Sequence, residues 1–187
     1  MANHIENYIL IENSNEEVLK EVQRVFQLAE GEYEVGSEDL AKRVFGEDAP
    51  EEYDRGWYCD ECGAKWLHGS IEDESVEEQT VRITSAWDPI NGWVERFAQN
   101  LRKIKSDVIV HNTFEDEGYN FAGVYFVAEH YDDCEWVDMD EYDVDQIWED
   151  DDVREEYHDE LHQILMDHKE AYQNTIEDMK ENPENYE

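Results

Sequence analysis

Hydrophobic and polar positions follow their clearest pattern between residues 79 and 127. Residues 79–87 alternate apolar and polar side chains, which is typical of a half-buried strand. Asp88 and Pro89 then supply an N-cap carboxylate and a proline at the first helical position, and apolar residues recur at helical spacing as far as Ile104. The pattern therefore predicts a strand, a helix and two more strands, which cover residues 79–87, 89–104, 106–114 and 119–127.

The residues before this block predict two strands and two helices. Ser14 and Glu17 have the spacing of a capping box, so a helix is expected between Ser14 and Gly31. Further elements are predicted as a strand at 4–11, a short helix at 37–45 capped by Ser37, and a strand near 64–67. The order β-α-α-β-β-α-β-β contains the split β-α-β arrangement, so we expect an α+β domain over residues 1–130. It would be a ferredoxin-like antiparallel sheet with one added strand and helices packed on one face.

The last third of the chain follows a different pattern. Residues 131–152 interleave acidic residues with aromatic and aliphatic ones, and residues 153–179 repeat apolar positions at helical spacing. We therefore expect residues 131–187 to form an acidic helical segment that docks on the domain. An apolar stripe of this length also suggests that part of it is covered by a second copy, in a homodimer.

Charge changes this picture most. The chain has 52 acidic and 14 basic residues, a formal net charge of −38 and a pI near 4.1. Residues 131–187 hold 23 acids and 3 bases, whereas the first 130 residues hold 29 acids and 11 bases. This charge disfavours nucleic acid and anionic membranes as direct partners, and it predicts a basic protein or a basic groove as partner.

Three interpretations of the acidic segment stay open: a solvated surface, adaptation to high salt, or mimicry of nucleic acid. Residues 149–181 contain 13 acids, which on a helix is one charge per roughly 4 Å, near the spacing along a single strand. Mimicry is the interpretation we prefer, because solubility does not require the charge to be concentrated in one segment. The residues predicted to bind the partner are Glu149, Asp150, Asp151, Asp152, Glu155, Glu156, Asp159 and Glu160.

A zinc site is the second candidate. Cys59, Cys62 and His68, with Cys134 as a possible fourth ligand, have the chemistry of a tetrahedral zinc site. The alternative is that the cysteines are reduced and fill small apolar spaces. If zinc binds, the chain is a small metal-binding or structural accessory protein whose acidity only gives solubility.

Other chemistry is weakly supported. Asp138, Asp140 and Glu149 occupy three positions of a calcium loop, but Asp143 stands where the loop needs glycine. His158 and His162 are four residues apart, without the glutamate of a zinc protease helix, and there is no glycine-rich phosphate loop. We therefore expect no enzymatic activity. The N-terminus lacks a signal sequence and three cysteines make no disulfide framework, so a reducing cytoplasm is expected.

Four short stretches suggest a family. They are the opening Met-Ala-Asn-His, the element between Trp57 and Trp66 that ends Gly-Ala-Lys-Trp, residues 84–89 (Thr-Ser-Ala-Trp-Asp-Pro), and residues 117–123 (Glu-Gly-Tyr-Asn-Phe-Ala-Gly). Through them, residues 1 to about 128 resemble a family of bacteriophage and plasmid proteins with a ferredoxin-like domain of unknown function. The Cys59-x-x-Cys62 spacing is not a feature of that family. The resemblance implies a phage-type protein, and with the acidic segment it predicts an inhibitor of a host defence complex, such as a restriction or CRISPR nuclease, in the host cytoplasm.

Overall fold

The structure is a computed structural model that describes residues 3–73, 79–139 and 142–182. Its strands are β1 (His4–Glu12), β2 (Leu67–Asp73), β3 (Gln79–Ala86), β4 (Ile109–Asp116), β5 (Ala122–Ala128) and β6 (Tyr131–Trp136). Its helices are α1 (Glu16–Val25), α2 (Ser37–Phe45), α3 (Arg55–Trp57), α4 (Asn91–Arg102), α5 (Val144–Glu149) and α6 (Asp151–Glu181). A 3₁₀ turn follows α2 at Gly46–Asp48, and a π-helical turn follows α3 at Tyr58–Cys62.

All six strands form one antiparallel sheet in the order β2-β3-β1-β4-β5-β6. β1 lies at its centre, where Ile9 is paired with Val81 of β3 and with Asn112 of β4. β6 continues the sheet beyond β5, so the first six residues of the predicted helical segment are a strand. The α+β class, the antiparallel sheet and the long C-terminal helix are therefore confirmed.

One face of the sheet, here called the first face, carries the main hydrophobic core. β1 alternates buried and accessible residues because Ile5, Ile9 and Ile11 point into this core. Helices α1, α2 and α4 cover it, with Trp93 and Phe97 of α4 stacked at 4.8 Å between ring centroids. Burial of such large apolar surfaces is the main source of stability in a domain of this size.

The opposite face, here called the second face, is covered by the C-terminal helices over β4, β5 and β6. A second core joins Ala122 and Val124 of β5 to Tyr157, Leu161 and Ile164 of α6. Every residue of β5 is buried, because α4 lies on one side of this strand and α6 on the other. The helices therefore do not all pack on one face, since the C-terminal segment occupies the other.

Three predicted helix starts are wrong in detail. Asn15, not Ser14, caps α1, and its side chain accepts hydrogen bonds from Glu17 N and Val18 N. Ser37 lies inside α2 and exchanges hydrogen bonds with the Leu67 backbone. The third case is α4, which begins at Asn91 and has no side-chain cap, so Asp88 does not cap it.

Buried polar groups explain the late start of α4. The Ser85 hydroxyl donates to Asp88 O, and Asn7 Oδ1 accepts from Ile90 N and from the Asn112 amide. Asn7, Ser85 and Asn112 are all fully buried, so these bonds fix the loop before α4 in a non-helical path. The hydrogen bond that an Asp88 cap would accept from Ile90 N is thus accepted by Asn7 of β1.

No helix within the described residues has both the length and the apolar character needed to span a membrane.

Candidate acidic binding surface

The predicted binding residues lie at the junction of α5 and α6. Glu149 ends α5, and Asp150 is both the C-cap of α5 and the N-cap of α6. Its carboxylate accepts a hydrogen bond from Asp152 N at 2.9 Å. Acidic residues at a helix N-terminus are stabilised by the unpaired backbone N–H groups, so part of the charge at this junction also defines the start of α6.

Seven of the eight predicted residues are exposed, and Glu160 is half-buried. Besides the Asp150 cap, Asp151 pairs with Arg154 at 2.7 Å, and Glu160 accepts a hydrogen bond from the Tyr142 hydroxyl. The first ten residues of α6 hold six acids over about 15 Å, or one per roughly 2.5 Å. The other 21 residues hold five over about 32 Å. The dense charge is therefore confined to the first three turns.

Apolar contacts seat this charged end of α6 on the sheet. Tyr157 is fully buried, and its ring meets Tyr119 and Tyr142 edge-on at 5.5 and 5.7 Å. Its hydroxyl donates to Glu115 Oε2 of β4 at 3.3 Å, and burial raises the pKa of the phenol well above its usual range. Because the Tyr157 side of α6 faces the sheet, the exposed acids on the opposite side of the helix face solvent.

Polar contacts hold the middle of α6. Glu12 Oε1 lies 3.1 Å from His111 Nε2, and the same oxygen accepts from Lys169 Nζ. These contacts, the one with His111 first, lower the pKa of Glu12 to about 2 although burial acts in the opposite direction. Further along the sheet, His168 Nδ1 lies 3.0 Å from the Tyr131 hydroxyl. Helix α6 is therefore tied to β1, β4 and β6 by ionisable groups.

The edge strand β6 extends the negative surface. Asp132, Asp133 and Glu135 are all exposed on this strand, which contacts α6. Charged residues on an edge strand also discourage pairing with another chain. Asp133 and Glu135 are paired with Phe126 and Val124 of β5, so they lie on the face that α6 covers, whereas Asp132 lies on the first face.

Sequence reasoning missed one residue of this surface. Trp148, immediately before the acidic run, keeps 56% of its surface exposed and meets the Tyr119 ring at 4.9 Å. Arg154 donates to the backbone carbonyls of Ile147 and Trp148, which fixes the turn between α5 and α6. An aromatic residue beside a run of four acids is the sequence signal that could have identified it, because exposed tryptophans are frequent anchors in interfaces.

The four candidate zinc ligands have different surroundings. Cys62 is fully buried in the main core, and burial raises the pKa of its thiol to about 12. Cys134 of β6 accepts a hydrogen bond from the Asn91 amide at 3.4 Å, while His68 is exposed on β2 beside Trp66. Cys59 is half-buried in the π-helical turn.

The turn that contains Cys59 and Cys62 packs tightly on α4. Gly63 has φ +91°, and a Cβ at Gly92 would lie 2.2 Å from Glu61 O, so only glycine fits there. No group of three or more His, Cys, Asp or Glu residues suited to a metal occurs in the ranges that the structure describes. Zinc binding stays a prediction, which metal analysis of the purified protein would test.

The remaining candidates are placed as follows. Asp140 of the calcium-loop pattern lies outside the described residues, and Asp138 and Asp143 are exposed. His158 and His162 are both exposed on α6, away from its buried side.

Comparison with known proteins gives no match: no family model fits the chain, and no curated protein or solved structure is significantly similar to it. The resemblance to a phage and plasmid family therefore stays a prediction.

Proposed function

We propose that this protein is a non-enzymatic inhibitor that occupies the nucleic-acid groove of a basic protein through the acidic surface of α6. The observation that carries the proposal is the exposed charge at the start of α6, where five exposed acids over about 15 Å give one per roughly 3 Å. That spacing falls between the charge spacing of duplex DNA, about 1.7 Å, and that of a single strand, about 3.4 Å.

The way in which α6 is held also supports the proposal. Its buried side rests on the sheet through Tyr157, Leu161 and Ile164, so the acids opposite are presented from a rigid element. Charge that served only for solubility would not need to lie on a helix that packs against the sheet. Arg and Lys side chains of the partner would pair with these carboxylates, and binding would weaken with salt.

We further propose a ferredoxin-like domain of phage type for residues 1–130, with residues 131–187 docked on it, acting in the host cytoplasm. The strand order β2-β3-β1-β4, with helices between β1 and β2 and between β3 and β4, is what supports the fold assignment. The target would be a nuclease or another nucleic-acid-handling defence complex.

The test is capture of partners from a bacterial lysate with tagged protein, at low and at high salt, followed by identification of the captured proteins. A surface variant changes the eight predicted residues to Asn or Gln: Glu149, Asp150, Asp151, Asp152, Glu155, Glu156, Asp159 and Glu160. We expect the intact protein to capture a nuclease or nucleic-acid-binding protein at low salt, and the surface variant to lose it.

A matched control removes the same charge elsewhere. It changes eight exposed glutamates of the first 62 residues to Gln: Glu17, Glu30, Glu32, Glu34, Glu47, Glu51, Glu52 and Glu61. This control should keep the partner, and circular dichroism should show both variants folded. Equal capture by the folded surface variant and the control would refute the proposal.

A further inference from the structure

Two buried histidines lie at the interface between α6 and the second face of the sheet. His111 of β4 and His168 of α6 each expose only 3% of their surface. Both rings stack on Phe126 of β5, with centroid separations of 6.3 and 6.1 Å. Phe126 is itself fully buried, so the two imidazoles are part of the packing that holds α6 on the sheet.

Each imidazole has one polar partner and one buried nitrogen without a partner. His168 Nδ1 lies 3.0 Å from the Tyr131 hydroxyl, and His111 Nε2 lies 3.1 Å from Glu12 Oε1. His168 Nε2 and His111 Nδ1 have no hydrogen-bond partner among the described residues. A neutral imidazole donates from one nitrogen and carries a lone pair on the other, whereas the protonated ring donates from both. Protonation of either ring would therefore bury an N–H group without an acceptor, which is unfavourable.

The two histidines differ in the charges that surround them. The Glu12 carboxylate faces His111, so it can compensate a proton on that ring. His168 forms no ion pair with a carboxylate of the described residues, and its neighbours on α6 and on Phe126 are the bases Lys169 and His111. A proton on His168 is therefore opposed by burial and by like charge.

The other titratable groups around His168 do not supply the missing acceptor. Glu12 of β1 is engaged by His111 and Lys169. Tyr131 and Tyr172 are neutral phenols whose pKa values are raised by burial. The remaining carboxylates on the neighbouring elements are exposed, and they are Glu129, which pairs with His130, and Asp133 and Glu135 of β6. Solvent and salt screen such exposed charges, so they offset little of the cost of an unpaired N–H group.

We infer that His168 makes the attachment of α6 to the second face sensitive to pH. An imidazole in water takes up a proton at about pH 6.5. His168 meets water only when α6 detaches, so the detached helix binds a proton that the attached helix excludes, and acidification favours detachment. The helix that carries the acidic surface is thus held at neutral pH and loosened below pH 6. The inference goes beyond the proposed function, because it concerns the protein without a partner.

The experiment is amide hydrogen exchange of the purified protein at pH 7.5 and 5.5, measured by mass spectrometry in about 0.15 M salt. Each rate is corrected for the intrinsic exchange rate at its pH. One proton taken up on opening raises the opening constant about tenfold between these two pH values, so protection of residues 161–172 should fall about tenfold. Protection there should also be lower than in β1 at both pH values, because the helix opens before the sheet.

His168→Phe is the decisive variant, because a phenyl ring keeps the contact with Phe126 and cannot take up a proton. Its protection in residues 161–172 should change by less than about twofold between the two pH values. His158→Gln, an exposed position on the same helix, should behave like the intact protein. An equal fall in the His168→Phe variant, or no fall in the intact protein, would overturn the inference.

A second measurement needs no variant. The NMR shifts of the His168 imidazole in the intact protein should stay those of a neutral ring while the amides of α6 remain protected. A ring that becomes protonated near pH 6.5 without loss of that protection would overturn the inference. Neither measurement involves a partner, so either result leaves the proposed function to its own test.

Discussion

The two faces of the sheet are built differently. Among the described residues, the first face and its helices bury 29 hydrophobic residues in one cluster, whereas the cluster on the second face has seven. The second face adds ionisable contacts, of which Glu12 with His111 and Lys169 is the most connected. The first face therefore supplies most of the stability, and the second attaches a charged helix to it.

We infer from this difference that the first face maintains the fold, whereas the second face presents the proposed binding surface. A face held by apolar burial does not depend on the ionisation of side chains, whereas a face held partly by ion pairs weakens with salt and responds to pH. Self-repulsion of the acidic helix adds to this response. We expect substitutions on the first face to unfold the domain, and substitutions on the second to release α6 from an intact sheet.

The largest effect should come from removing a ring of the main core. Trp93 is fully buried, stacks on Phe97 and donates to Leu40 O, so Trp93→Ala should lower the free energy of unfolding by about 3–5 kcal/mol. Leu161→Ala on the second face should lower it by only about 2 kcal/mol. Urea denaturation followed by circular dichroism measures both.

Limited proteolysis of the Trp93→Ala and Leu161→Ala variants tests whether the two faces unfold separately. The Leu161 variant should be cut within α6 while the remaining chain resists, because the helix detaches before the sheet unfolds. Cleavage spread over the whole chain in both variants would show that the two faces are not energetically distinct.

An intermediate effect is expected for the buried polar groups under α4. Asn7→Ala leaves the Asn112 amide and Ile90 N without their acceptor, so it should cost about 1–3 kcal/mol. Asp88→Ala should change stability by less than about 0.5 kcal/mol, because this exposed carboxylate does not cap the helix. Urea denaturation measures both changes in the free energy of unfolding. A loss above about 0.5 kcal/mol for Asp88→Ala would show that Asp88 does cap α4.

The smallest effect concerns pH on the second face. Because the pKa of Glu12 in the folded protein is about 2, its contribution is complete above the ordinary value of 4.5 and is lost as pH falls toward 2. About 20% of the Glu12 side chain is exposed, and screening by solvent reduces the contribution, so the intact protein should lose about 1 kcal/mol more than Glu12→Gln between pH 5.5 and 2.5. Glu170→Gln, an exposed residue beside Lys169, is the control and should behave like the intact protein.

Periodicity predicted the elements that bury a regular stripe. Helix α6 was expected at 153–179 and extends from Asp151 to Glu181, because its apolar spacing is unambiguous. The pattern does not say which face of the sheet a helix covers, so its position on the second face could not be read from its own residues. The continuous apolar run of β5 was the available sign, since such strands are buried on both sides.

Local cap signals failed where the tertiary structure provided stronger partners. Asp88 and Pro89 match a helix start, yet Asn7, 83 residues before Ile90, holds that backbone instead. The setting of Trp148 was equally out of reach, because the Tyr119 ring that it contacts comes from the loop between β4 and β5.

The central claim is that the acidic surface of α6 takes the place of nucleic acid on its partner. The most direct measurement is release of the captured partner from immobilised protein by duplex DNA at constant salt, with an uncharged polymer as control. The account predicts that DNA releases the partner in a concentration-dependent way, because both ligands need the same basic groove. A partner that binds DNA and this protein at the same time, without any release, would contradict it.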